Sequence, residues 1–409
     1  MKASLTYTKK LDSKVSIIIP GSKSESNRLL VLQALFNNLS IENLSNSDDT
    51  QSLLRGLKES NGTVDIHHAG TAMRFLTAYF ASKEGVQITL TGSERMQERP
   101  IKILVDALTD LGADISYLKN EGYPPIEIKG KKLIVNSVKI SATVSSQYIT
   151  ALMLIAPSLE NGLTIELEGE ITSSPYIEMT LDLLQKMKVS CSFSNNIIEI
   201  AALLNNNETI VEVESDWSSA SYFYSLVALS ENLEITIKSF RKNSLQGDSE
   251  VAKIYQLLGV ETVFNTLENT ITLKKLANEI QPISLNLNKT PDIAQTIAVT
   301  CFGIGVGCKL TGLKTLKIKE TDRLFALKTE LEKLGATCKI TEESLEVKPS
   351  ENINNNILIS TYQDHRMAMA FAPLSLLTSI EIESPEVVSK SYPTFWEDLK
   401  KLGISIHKK

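Results

Sequence analysis

The chain has 409 residues, of which 42% are hydrophobic and 22% are charged, so it can bury the cores of two or three domains and is not disordered. The formal net charge of -6 and the isoelectric point near 5.5 leave no electrostatic footprint for nucleic acid or an anionic membrane. The four cysteines form no C-x-x-C pair, the four histidines show no ligand spacing, and no apolar run approaches the roughly 20 residues of a membrane-spanning helix. We therefore expect a cytoplasmic monomer with no cofactor or metal, and with neither nucleic acid nor membrane as partner.

A leucine-rich helix ending, often with glycine, recurs six times, each time before a β-rich segment. Copies two to six are spaced roughly 70 residues apart, and copy one lies about 54 residues before copy two. Glycine after the last helical leucine suits a left-handed C-cap, and four copies have one there. The pattern predicts six related α/β units, which crossings near 14–21 and 205–216 would divide three and three. The copies lie at 53–57, 108–113, 184–187, 256–260, 331–336 and 399–404.

The first candidate anion site is the segment 21–28 (GSKSESNR), which follows an apolar strand and precedes a helix expected to begin near Leu29. Free N–H groups and the positive helix end favour an anion, around which Lys23, Ser24 and Arg28 can close. The segment lacks the glycine spacing of a nucleotide-binding P-loop, so we reject a kinase. A plain capped helix is the alternative.

A second segment, 69–74 (AGTAMR), has the same composition at a predicted helix start. Gly70 lacks a Cβ where the backbone must approach another group, Thr71 offers a hydroxyl at the cap, and Arg74 lies in the first turn. Arg99 stands just before the next predicted helix, where a surface network with neighbouring glutamates is the alternative.

Paired serines precede three apolar-periodic helices, at 145–146, 173–174 and 218–219. Serine is an ordinary N-cap, so each pair by itself favours a structural role. Together with the two anion segments, the three pairs indicate helix N-termini that converge on one region.

In the second half of the chain, carboxylates stand beside cations. Asp292 opens a predicted helix, and 319–323 (KETDR) lies at a predicted strand-to-helix junction. On a helix, Lys319 and Arg323 are i,i+4 neighbours with Glu320 between them, which predicts an anion site with a built-in base. A solvated helix start with routine ion pairs is the alternative.

Near the C-terminus, Asp364 is the predicted N-cap of a very apolar helix that has His365 and Arg366 in its first turn. An arginine beside such an apolar face requires an anionic partner. Lys390 completes the set of candidate cations.

In order and wording, these segments resemble the 5-enolpyruvylshikimate-3-phosphate (EPSP) synthase family of enolpyruvyl transferases. The resemblance covers about residues 15 to 396, and the co-occurrence of the motifs in this order is highly specific, although no single motif is. The matching segments are 20–28 (PGSKSxSxR), 69–74 (AGTAMR), 95–100 (RMxERP), 144–147 (VSSQ), 175–176 (PY), 243–248 (NSxQGD), 291–292 (PD), 319–323 (KETDR) and 364–369 (DHRMAM).

The resemblance implies an α/β fold of two domains, an inside-out α/β barrel built from six βαβαββ units, three per domain, with the active site in the interdomain cleft. It also implies that the chain crosses between the domains twice. We expect an N-terminal domain of 15–213 and a C-terminal domain of 1–14 plus 214–409.

The activity implied is transfer of the enolpyruvyl (1-carboxyvinyl) group of phosphoenolpyruvate to the 5-hydroxyl of shikimate 3-phosphate. Phosphate is released through a tetrahedral intermediate, in the shikimate pathway that leads to chorismate and the aromatic amino acids. Two phosphates and two carboxylates bring about five to six negative charges into one site. Positioned cations can neutralise them without a metal. The candidates are Lys23, Arg28, Arg74, Arg99, Lys319, Arg323, Arg366 and Lys390.

The family's functional residues carry over by motif. The resemblance assigns to shikimate 3-phosphate Lys23, Ser24, Arg28, Ser145, Ser146, Gln147, Ser173, Tyr176, Asp292, Thr315 and Lys319. It assigns to phosphoenolpyruvate Lys23, Gly70, Thr71, Arg99, Gln147, Arg323, His365, Arg366 and Lys390, with Arg74 supporting the loop. Asp292 and Glu320 would handle the protons and Lys23 would assist phosphate elimination, while the division of proton transfers between the two carboxylates stays open.

Three positions depart from the commonest family pattern: His68, Phe75 and Thr315. The first two bear on inhibition by glyphosate, which competes for the phosphoenolpyruvate pocket, and we expect sensitivity because Gly70 leaves room.

Two other functions are alternatives to the activity that the resemblance implies. The related transferase that acts on UDP-N-acetylglucosamine usually has a lid-loop cysteine, which should fall around 92–100, where this chain has none. A non-catalytic anion-binding or RNA-interacting protein is the rival of another class. The acidic isoelectric point counts against RNA, and the presence of both Asp292 and Glu320 favours chemistry.

Overall fold

The structure is a computed structural model that describes residues 1–7, 14–143, 145–171, 174–203 and 208–409. It divides into two compact units, a discontinuous unit of Met1–Pro20 with Glu214–Lys409 and a continuous unit of Gly21–Val213. Strand Lys14–Ile17 pairs in parallel with strand Glu234–Lys238, within the discontinuous unit. Because this strand belongs there, the first crossing follows Pro20, and the boundary predicted after residue 14 came too early.

The described residues form thirteen α-helices and twenty-two strands. The helices are α1 Lys23–Leu35, α2 Asp48–Gly56, α3 Gly70–Ala81, α4 Glu94–Gln97, α5 Lys102–Asp110, α6 Ser146–Ile155, α7 Ser174–Lys186, α8 Trp217–Leu229, α9 Val251–Leu257, α10 Ala294–Gly303, α11 Arg323–Lys333, α12 His365–Phe371 and α13 Phe395–Lys401. Short 3-10 helices lie at Ala156–Ser158, Gly247–Glu250, Pro291–Ile293, Lys314–Ile318, Ala372–Leu376 and Pro385–Lys390. The strands are β1 Lys2–Tyr7, β2 Lys14–Ile17, β3 Leu39–Glu42, β4 Asn61–Asp65, β5 Gln87–Thr91, β6 Asp114–Tyr117, β7 Ile126–Lys129, β8 Ser137–Ser141, β9 Leu163–Glu168, β10 Cys191–Ser194, β11 Ile197–Ile200, β12 Thr209–Glu212, β13 Glu234–Lys238, β14 Val260–Asn265, β15 Thr270–Lys275, β16 Ile283–Asn286, β17 Cys308–Thr311, β18 Cys338–Ile340, β19 Leu345–Val347, β20 Ile357–Ile359, β21 Ile380–Glu383 and β22 Ile404–Lys408.

Five four-stranded sheets share one topology, in which two parallel strands are extended by two antiparallel ones. In the continuous unit the strand orders are β4-β5-β7-β6 and β8-β9-β11-β10. In the discontinuous unit they are β2-β13-β15-β14, β16-β17-β19-β18 and β20-β21-β1-β22. The predicted two-domain α/β fold is confirmed, and all five of these four-stranded sheets have the strand pattern of a βαβαββ unit.

The sixth predicted unit is shorter among the described residues. Its strands β3 and β12 form a two-stranded parallel sheet. Only residues 57–60 connect α2 to β4, which leaves no room for the antiparallel hairpin that completes the other units. The missing hairpin explains why the first copy of the leucine-rich ending stands closer to the second than the others do to one another.

The predicted glycine C-caps are confirmed. Gly112, Gly259, Gly335 and Gly403 have φ angles of 101, 79, 103 and 83°, the left-handed conformation that ends a helix. In the third copy Lys188 takes the same conformation, with φ of 64°. In each of the six α/β units the leucine-rich ending closes the last helix.

The first helix of each unit is buried nearly all round, whereas the second is buried on one face. In α8 every residue is buried, while in α9 only Val251, Ile254 and Tyr255 are. A helix that is apolar on all sides is stable only inside a protein. In the continuous unit α1, α3 and α6 contact one another, as α8, α10 and α12 do in the discontinuous unit. Each of the two compact units, the continuous and the discontinuous one, therefore has three helices at its centre. These helices are flanked by sheets whose strands bury alternate residues.

Candidate active site

The predicted site residues fall into two groups, one in each unit, and most lie in the first turns of the central helices. In the continuous unit, α1 begins at Lys23, not near Leu29 as predicted. Ser22 is its N-cap and accepts a hydrogen bond from the backbone N–H of Glu25 at 3.4 Å. Within the polar stretch 23–28, Ser26 accepts a hydrogen bond from the N–H of Ser45, and Arg28 donates to Thr180. The buried side-chain amide of Asn27 has no hydrogen-bond partner among the described residues.

Arg28 is a buried guanidinium whose hydrogen bonds to the described residues all go to neutral oxygens. Its Nε donates to Thr180 Oγ1 at 2.9 Å, and its Nη1 donates to the carbonyl of Ser24 at 2.7 Å. Its Nη2 donates to the carbonyl of Tyr176 at 3.3 Å and to Thr150 Oγ1 at 3.4 Å. Burial lowers the pKa of Arg28 to about 10, against smaller opposing effects of Tyr176 and Glu25. The group is poised to gain from an anionic partner.

Aromatic rings support the same guanidinium. Its Cζ lies 5.7 Å from the ring centroid of Phe75 and 5.5 Å from that of Tyr176. Phe75, one of the three departures from the family pattern, therefore packs beside Arg28. His68, another departure, has its Nδ1 2.8 Å from Ser93 Oγ.

Lys23 has a carboxylate partner that the motifs did not reveal. Its Nζ lies 3.1 Å from Oδ2 of Asp49, in the first turn of α2, and the Asp49 side chain is only 6% exposed. The lysine is thereby held at the helix start with one ammonium direction fixed. Asp49 is its one side-chain partner among the described residues, so its other N–H donors can reach a ligand.

Gly70 is in close contact with Arg99. A Cβ built on Gly70 would stand 2.4 Å from Nη1 of Arg99, so only glycine leaves this guanidinium where it is. Arg74 donates to the carbonyls of Gly70 at 3.1 Å and Pro100 at 3.0 Å, which ties the start of α3 to the loop before α5. The expected supporting role of Arg74 agrees with this geometry.

The start of α6 adjoins the start of α3. Ser145 is the N-cap of α6 and accepts from the N–H of Gln147 at 3.3 Å, as predicted, and Ser146 is buried. Gln147 Nε2 donates to Thr71 Oγ1 at 3.3 Å. Ser173, also predicted to contact substrate, lies outside the described residues.

In the discontinuous unit, a cluster of carboxylates and cations forms around Asp292, just before α10. Its Oδ1 is 3.0 Å from Arg323 Nη1 and 3.6 Å from Lys319 Nζ, and its Oδ2 is 3.3 Å from Arg366 Nη2. The requirement that Arg366 have an anionic partner is confirmed. Burial alone would raise the pKa of Asp292, but Arg366, Lys319 and Arg323 hold it well below its usual range.

Glu320 is the second carboxylate of this cluster. Its Oε2 accepts from Arg323 Nη2 at 2.8 Å, and its Oε1 lies 3.4 Å from Lys390 Nζ. Arg323, whose side chain is 2% exposed, thus bridges Asp292 and Glu320. The cluster brings together two carboxylates and four cations that the sequence had singled out.

The local structure of 319–323 differs from the expected helical face. The helix α11 begins only at Arg323, because Asp322 caps it by accepting from the N–H groups of Leu324 and Phe325 at 3.1 Å. The preceding Lys314–Ile318 is a 3-10 helix, not a strand. Lys319 consequently reaches Asp292, and only the Glu320–Arg323 pair of the predicted arrangement forms.

Two buried aspartates complete the cluster, and sequence reasoning gave neither a functional role. Asp364, the predicted N-cap of α12, caps the N–H of Arg366 at 2.8 Å and also accepts from Arg323 Nε at 2.6 Å. Asp248 accepts from Ser218 and Thr290, and Ser218 Oγ lies 3.4 Å from Arg366 Nη2. Burial, reinforced by the nearby charge of Asp292, raises the pKa of Asp248 to about 6.

The remaining predicted residues also line this cluster or stand beside it. His365 is buried, with its Nδ1 3.8 Å from Asp364 Oδ1. The hydroxyl of Thr315 is buried and has no hydrogen-bond partner among the described residues. Burial lowers the pKa of Lys319, and the charge of Asp292 opposes that change. The uncommitted hydroxyl suits a polar ligand, and an anionic ligand would oppose the effect of burial on the pKa of Lys319.

Within the described ranges, no group of three or more histidine, cysteine, aspartate and glutamate side chains is arranged to hold a metal ion. No helix in the same ranges is both long and apolar enough to cross a membrane.

Comparison with solved structures gives the class. A structure of EPSP synthase from Acinetobacter baumannii matches with a TM-score of 0.79 at 20% identity, over 100% of both chains. The enolpyruvyl transferase NikO from Streptomyces tendae matches with a TM-score of 0.75 at 12% identity, over 99% of this chain and 98% of that one. At these identities the likeness concerns the fold, which is that of the enolpyruvyl transferases.

Sequence relatives narrow the class. The family model for EPSP synthase (3-phosphoshikimate 1-carboxyvinyltransferase) matches residues 57–399. The 3-phosphoshikimate 1-carboxyvinyltransferase of Bacteroides fragilis strain YCH46 is 45% identical over 397 residues, covering 96% of each chain. That of Colwellia psychrerythraea is 37% identical over 420 residues, covering 95% of this chain and 96% of the relative. The chain therefore belongs to the EPSP synthase family and is an enzyme of the shikimate pathway.

Proposed function

We propose that the chain transfers the enolpyruvyl group of phosphoenolpyruvate to the 5-hydroxyl of shikimate 3-phosphate, with the residue roles given below. The observation that carries the proposal is the cluster in which Arg323 bridges Asp292 and Glu320 while Lys319, Arg366 and Lys390 surround them. Carboxylates for proton transfer and cations for two anionic substrates are what an addition and elimination of phosphate require.

Shikimate 3-phosphate is proposed to bind chiefly through the continuous unit. Among the described residues, Arg28 has no carboxylate as a hydrogen-bond partner. Near the starts of α1, α6 and α7 stand Lys23, Ser24, Ser145, Ser146 and Tyr176. Helix N-termini with serine hydroxyls are suited to phosphate oxygens. Ser173 is retained in this proposal on the motif alone. From the discontinuous unit, Asp292, Thr315 and Lys319 are proposed to contact the same substrate.

Phosphoenolpyruvate is proposed to bind the cations and polar groups of both units. Two contacts in the continuous unit support this proposal, that of Gly70 with Arg99 and that of Thr71 with Gln147. Lys23 is proposed to join them there. Arg323, His365, Arg366 and Lys390 are the corresponding group in the discontinuous unit. Domain closure on the two substrates is part of this proposal.

The proton chemistry is proposed to use Asp292 and Glu320, with Lys23 assisting the departure of phosphate. As oxygen 5 of shikimate 3-phosphate attacks C2 of phosphoenolpyruvate, its proton is taken up and C3 gains a proton. Loss of phosphate then reverses the proton transfer at C3. Asp292 has a low proton affinity beside its three cations, and bound anionic substrates would raise that affinity by neutralising them.

The test is phosphate release by the purified protein mixed with phosphoenolpyruvate and shikimate 3-phosphate, without added metal. A parallel reaction has UDP-N-acetylglucosamine as the acceptor. Release only with shikimate 3-phosphate is the expected result. Release with UDP-N-acetylglucosamine alone, or with neither acceptor, would contradict the proposal.

We also propose that the enzyme works as a monomer in the cytoplasm. All four cysteines are free thiols, in agreement with a reducing compartment. Sedimentation equilibrium at several protein concentrations gives the mass in solution, and a dimer at micromolar concentration would refute the monomer.

A further inference from the structure

A fully buried carboxylate, Glu330, lies in the discontinuous unit among residues that the proposed chemistry does not use. Its side chain is 0% exposed, on the helix α11. Its oxygens accept from Lys333 Nζ at 2.8 and 2.7 Å, from the hydroxyl of Tyr362 at 2.6 Å, and from the N–H of Ser360 at 3.0 Å. A buried carboxylate is costly unless it is paired and hydrogen-bonded, and here two of the donors belong to one loop.

That loop, 360–363, contains two consecutive residues in the left-handed region. Tyr362 has φ of 53° and Gln363 has φ of 56°. The other consecutive non-glycine pair among the described residues is Asn195 and Asn196, and asparagine tolerates this conformation. Tyrosine and glutamine do not favour it, so surrounding contacts must hold the loop in place.

The loop leads directly into the segment Asp364-His365-Arg366. Asp364 N–H donates to the carbonyl of Thr361 at 2.9 Å, which closes the turn. Asp364 then accepts from Arg323 Nε at 2.6 Å. Arg323 and Glu330 are seven residues apart on α11 and so share one helix face. One face of α11 therefore holds both the loop, through Glu330, and the segment after it, through Arg323.

We propose that Glu330 is a positioning residue for the reaction. It keeps the strained turn 360–363 against α11, and the turn fixes the direction in which His365 and Arg366 leave it. Without this contact the turn relaxes toward right-handed or extended backbone, which moves Arg366 away from Asp292. The inference rests on the proposed assignment of His365 and Arg366 to phosphoenolpyruvate.

Two substitutions test the contact with different severity. Glu330→Gln keeps the shape of the side chain but cannot accept from both Ser360 N–H and Tyr362, and its amide N–H faces Lys333. Tyr362→Phe removes the hydrogen bond from the tyrosine hydroxyl to Glu330 and leaves the carboxylate in place. In both variants we expect the KM for phosphoenolpyruvate to rise, by about tenfold in Glu330→Gln and less in Tyr362→Phe, while the KM for shikimate 3-phosphate changes less than twofold to threefold. Glu332→Gln, at an exposed position of the same helix, is the matched control.

A rescue experiment separates positioning from general stability. Gln363 is exposed, so Gln363→Gly removes no buried contact, and glycine adopts positive φ without strain. Added to Glu330→Gln, it is expected to restore at least half of the lost affinity for phosphoenolpyruvate without raising the unfolding temperature. A merely structural role would show no such recovery.

The following results would overturn the inference that Glu330 is a positioning residue. An unchanged KM for phosphoenolpyruvate in both Glu330→Gln and Tyr362→Phe, or a loss in both that Gln363→Gly does not restore, overturns the inference. If Glu330→Gln does not fold, Tyr362→Phe with and without Gln363→Gly gives the same decision.

Arg366→Lys, measured in parallel, tests the proposed assignment of Arg366 to the phosphoenolpyruvate site. A normal KM there overturns the assignment and this inference together, whereas a raised KM there with normal Glu330 and Tyr362 variants overturns this inference alone.

Discussion

Arg28 in the continuous unit and Arg323 in the discontinuous unit are both buried guanidinium groups, but their partners are of opposite kinds. Within the described part of the chain, the hydrogen bonds of Arg28 go to neutral hydroxyl and carbonyl oxygens, and burial lowers its pKa to about 10. Burial acts on Arg323 in the same direction, but Asp364, Glu320 and Asp292 outweigh it and raise its pKa above the usual value. The charge of Arg28 is therefore not neutralised by a hydrogen-bonded carboxylate, whereas that of Arg323 is.

The difference separates two tasks. A buried cation whose hydrogen bonds go to neutral oxygens gains strongly from a bound anion, so we propose that the continuous unit takes up an anionic substrate. A cation already shared among three carboxylates gains less from another anion, but it holds those carboxylates in a fixed arrangement. The discontinuous unit is therefore the one suited to proton transfer at oriented carboxylates. Four substitutions test this division, given in order of decreasing expected effect.

Glu320→Gln should have the largest effect. It removes a proton carrier while keeping an oxygen for Arg323, so we expect kcat to fall about 10²- to 10⁴-fold, with both KM values within a few-fold of wild type. Steady-state phosphate release gives these constants. Glu332→Gln, an exposed change in the helix that follows, should leave them unaltered. Normal turnover in Glu320→Gln would remove this carboxylate from the mechanism.

Arg28→Lys should act on binding. Lysine retains a positive charge but cannot donate in the same fork to several oxygens, so the Kd for shikimate 3-phosphate should rise about 10- to 100-fold. Calorimetric titration measures it, and thermal unfolding checks that the fold survives. The matched control is Arg55→Lys at an exposed position on α2. An unchanged Kd would place the phosphate elsewhere.

Gly70→Ala should act on the other substrate and more weakly. The added methyl group would stand 2.4 Å from Arg99 Nη1, and the flexible end of that side chain must move. We expect the KM for phosphoenolpyruvate to rise about five- to thirtyfold, equivalent to roughly 1 to 2 kcal/mol. Inhibition by glyphosate, expected for wild type, should weaken in the variant. In an Arg99→Lys background the same substitution should cost less, and equal costs in both backgrounds would mean that Gly70 does not act through Arg99.

Asp248→Asn should have the smallest effect, on stability and its pH dependence. The pKa of Asp248 in the folded protein, about 6, lies above its ordinary value of 3.8. The contribution of Asp248 to the stability of the fold is therefore complete below pH 3.8 and is lost as the pH rises through about 6. The unfolding temperature of the variant minus that of wild type should therefore increase between about pH 4 and 6 and stay level above. Differential scanning calorimetry at several pH values measures it. A difference that does not vary with pH would contradict the raised pKa.

Local sequence signals were sufficient wherever a residue's role depends on its neighbours in the chain. The caps at Ser145 and Asp364 follow from serine or aspartate before an apolar run, and the C-cap at Gly335 follows from glycine after the last leucine. The need of Arg366 for an anionic partner followed from its apolar surroundings.

Local sequence patterns did not predict contacts between residues that are far apart in the chain. Asp49 belongs to an ordinary acidic helix start, and only the packing of α2 on α1 brings it to Lys23. Asp248 lies within a matched motif, yet its partners Ser218 and Thr290 are far from it in sequence. The boundary after residue 14 failed for the same reason, because pairing of β2 with β13 spans the entire continuous unit.

The most direct test of the division between binding and chemistry is titration of shikimate 3-phosphate into wild type, Arg28→Lys and Glu320→Gln under one set of conditions, with turnover measured on the same samples. We expect Arg28→Lys to lose affinity for shikimate 3-phosphate, and Glu320→Gln to bind it as wild type does without turning over. If Glu320→Gln lost as much affinity as Arg28→Lys, or if Arg28→Lys bound normally, the two units would not divide the work in this way.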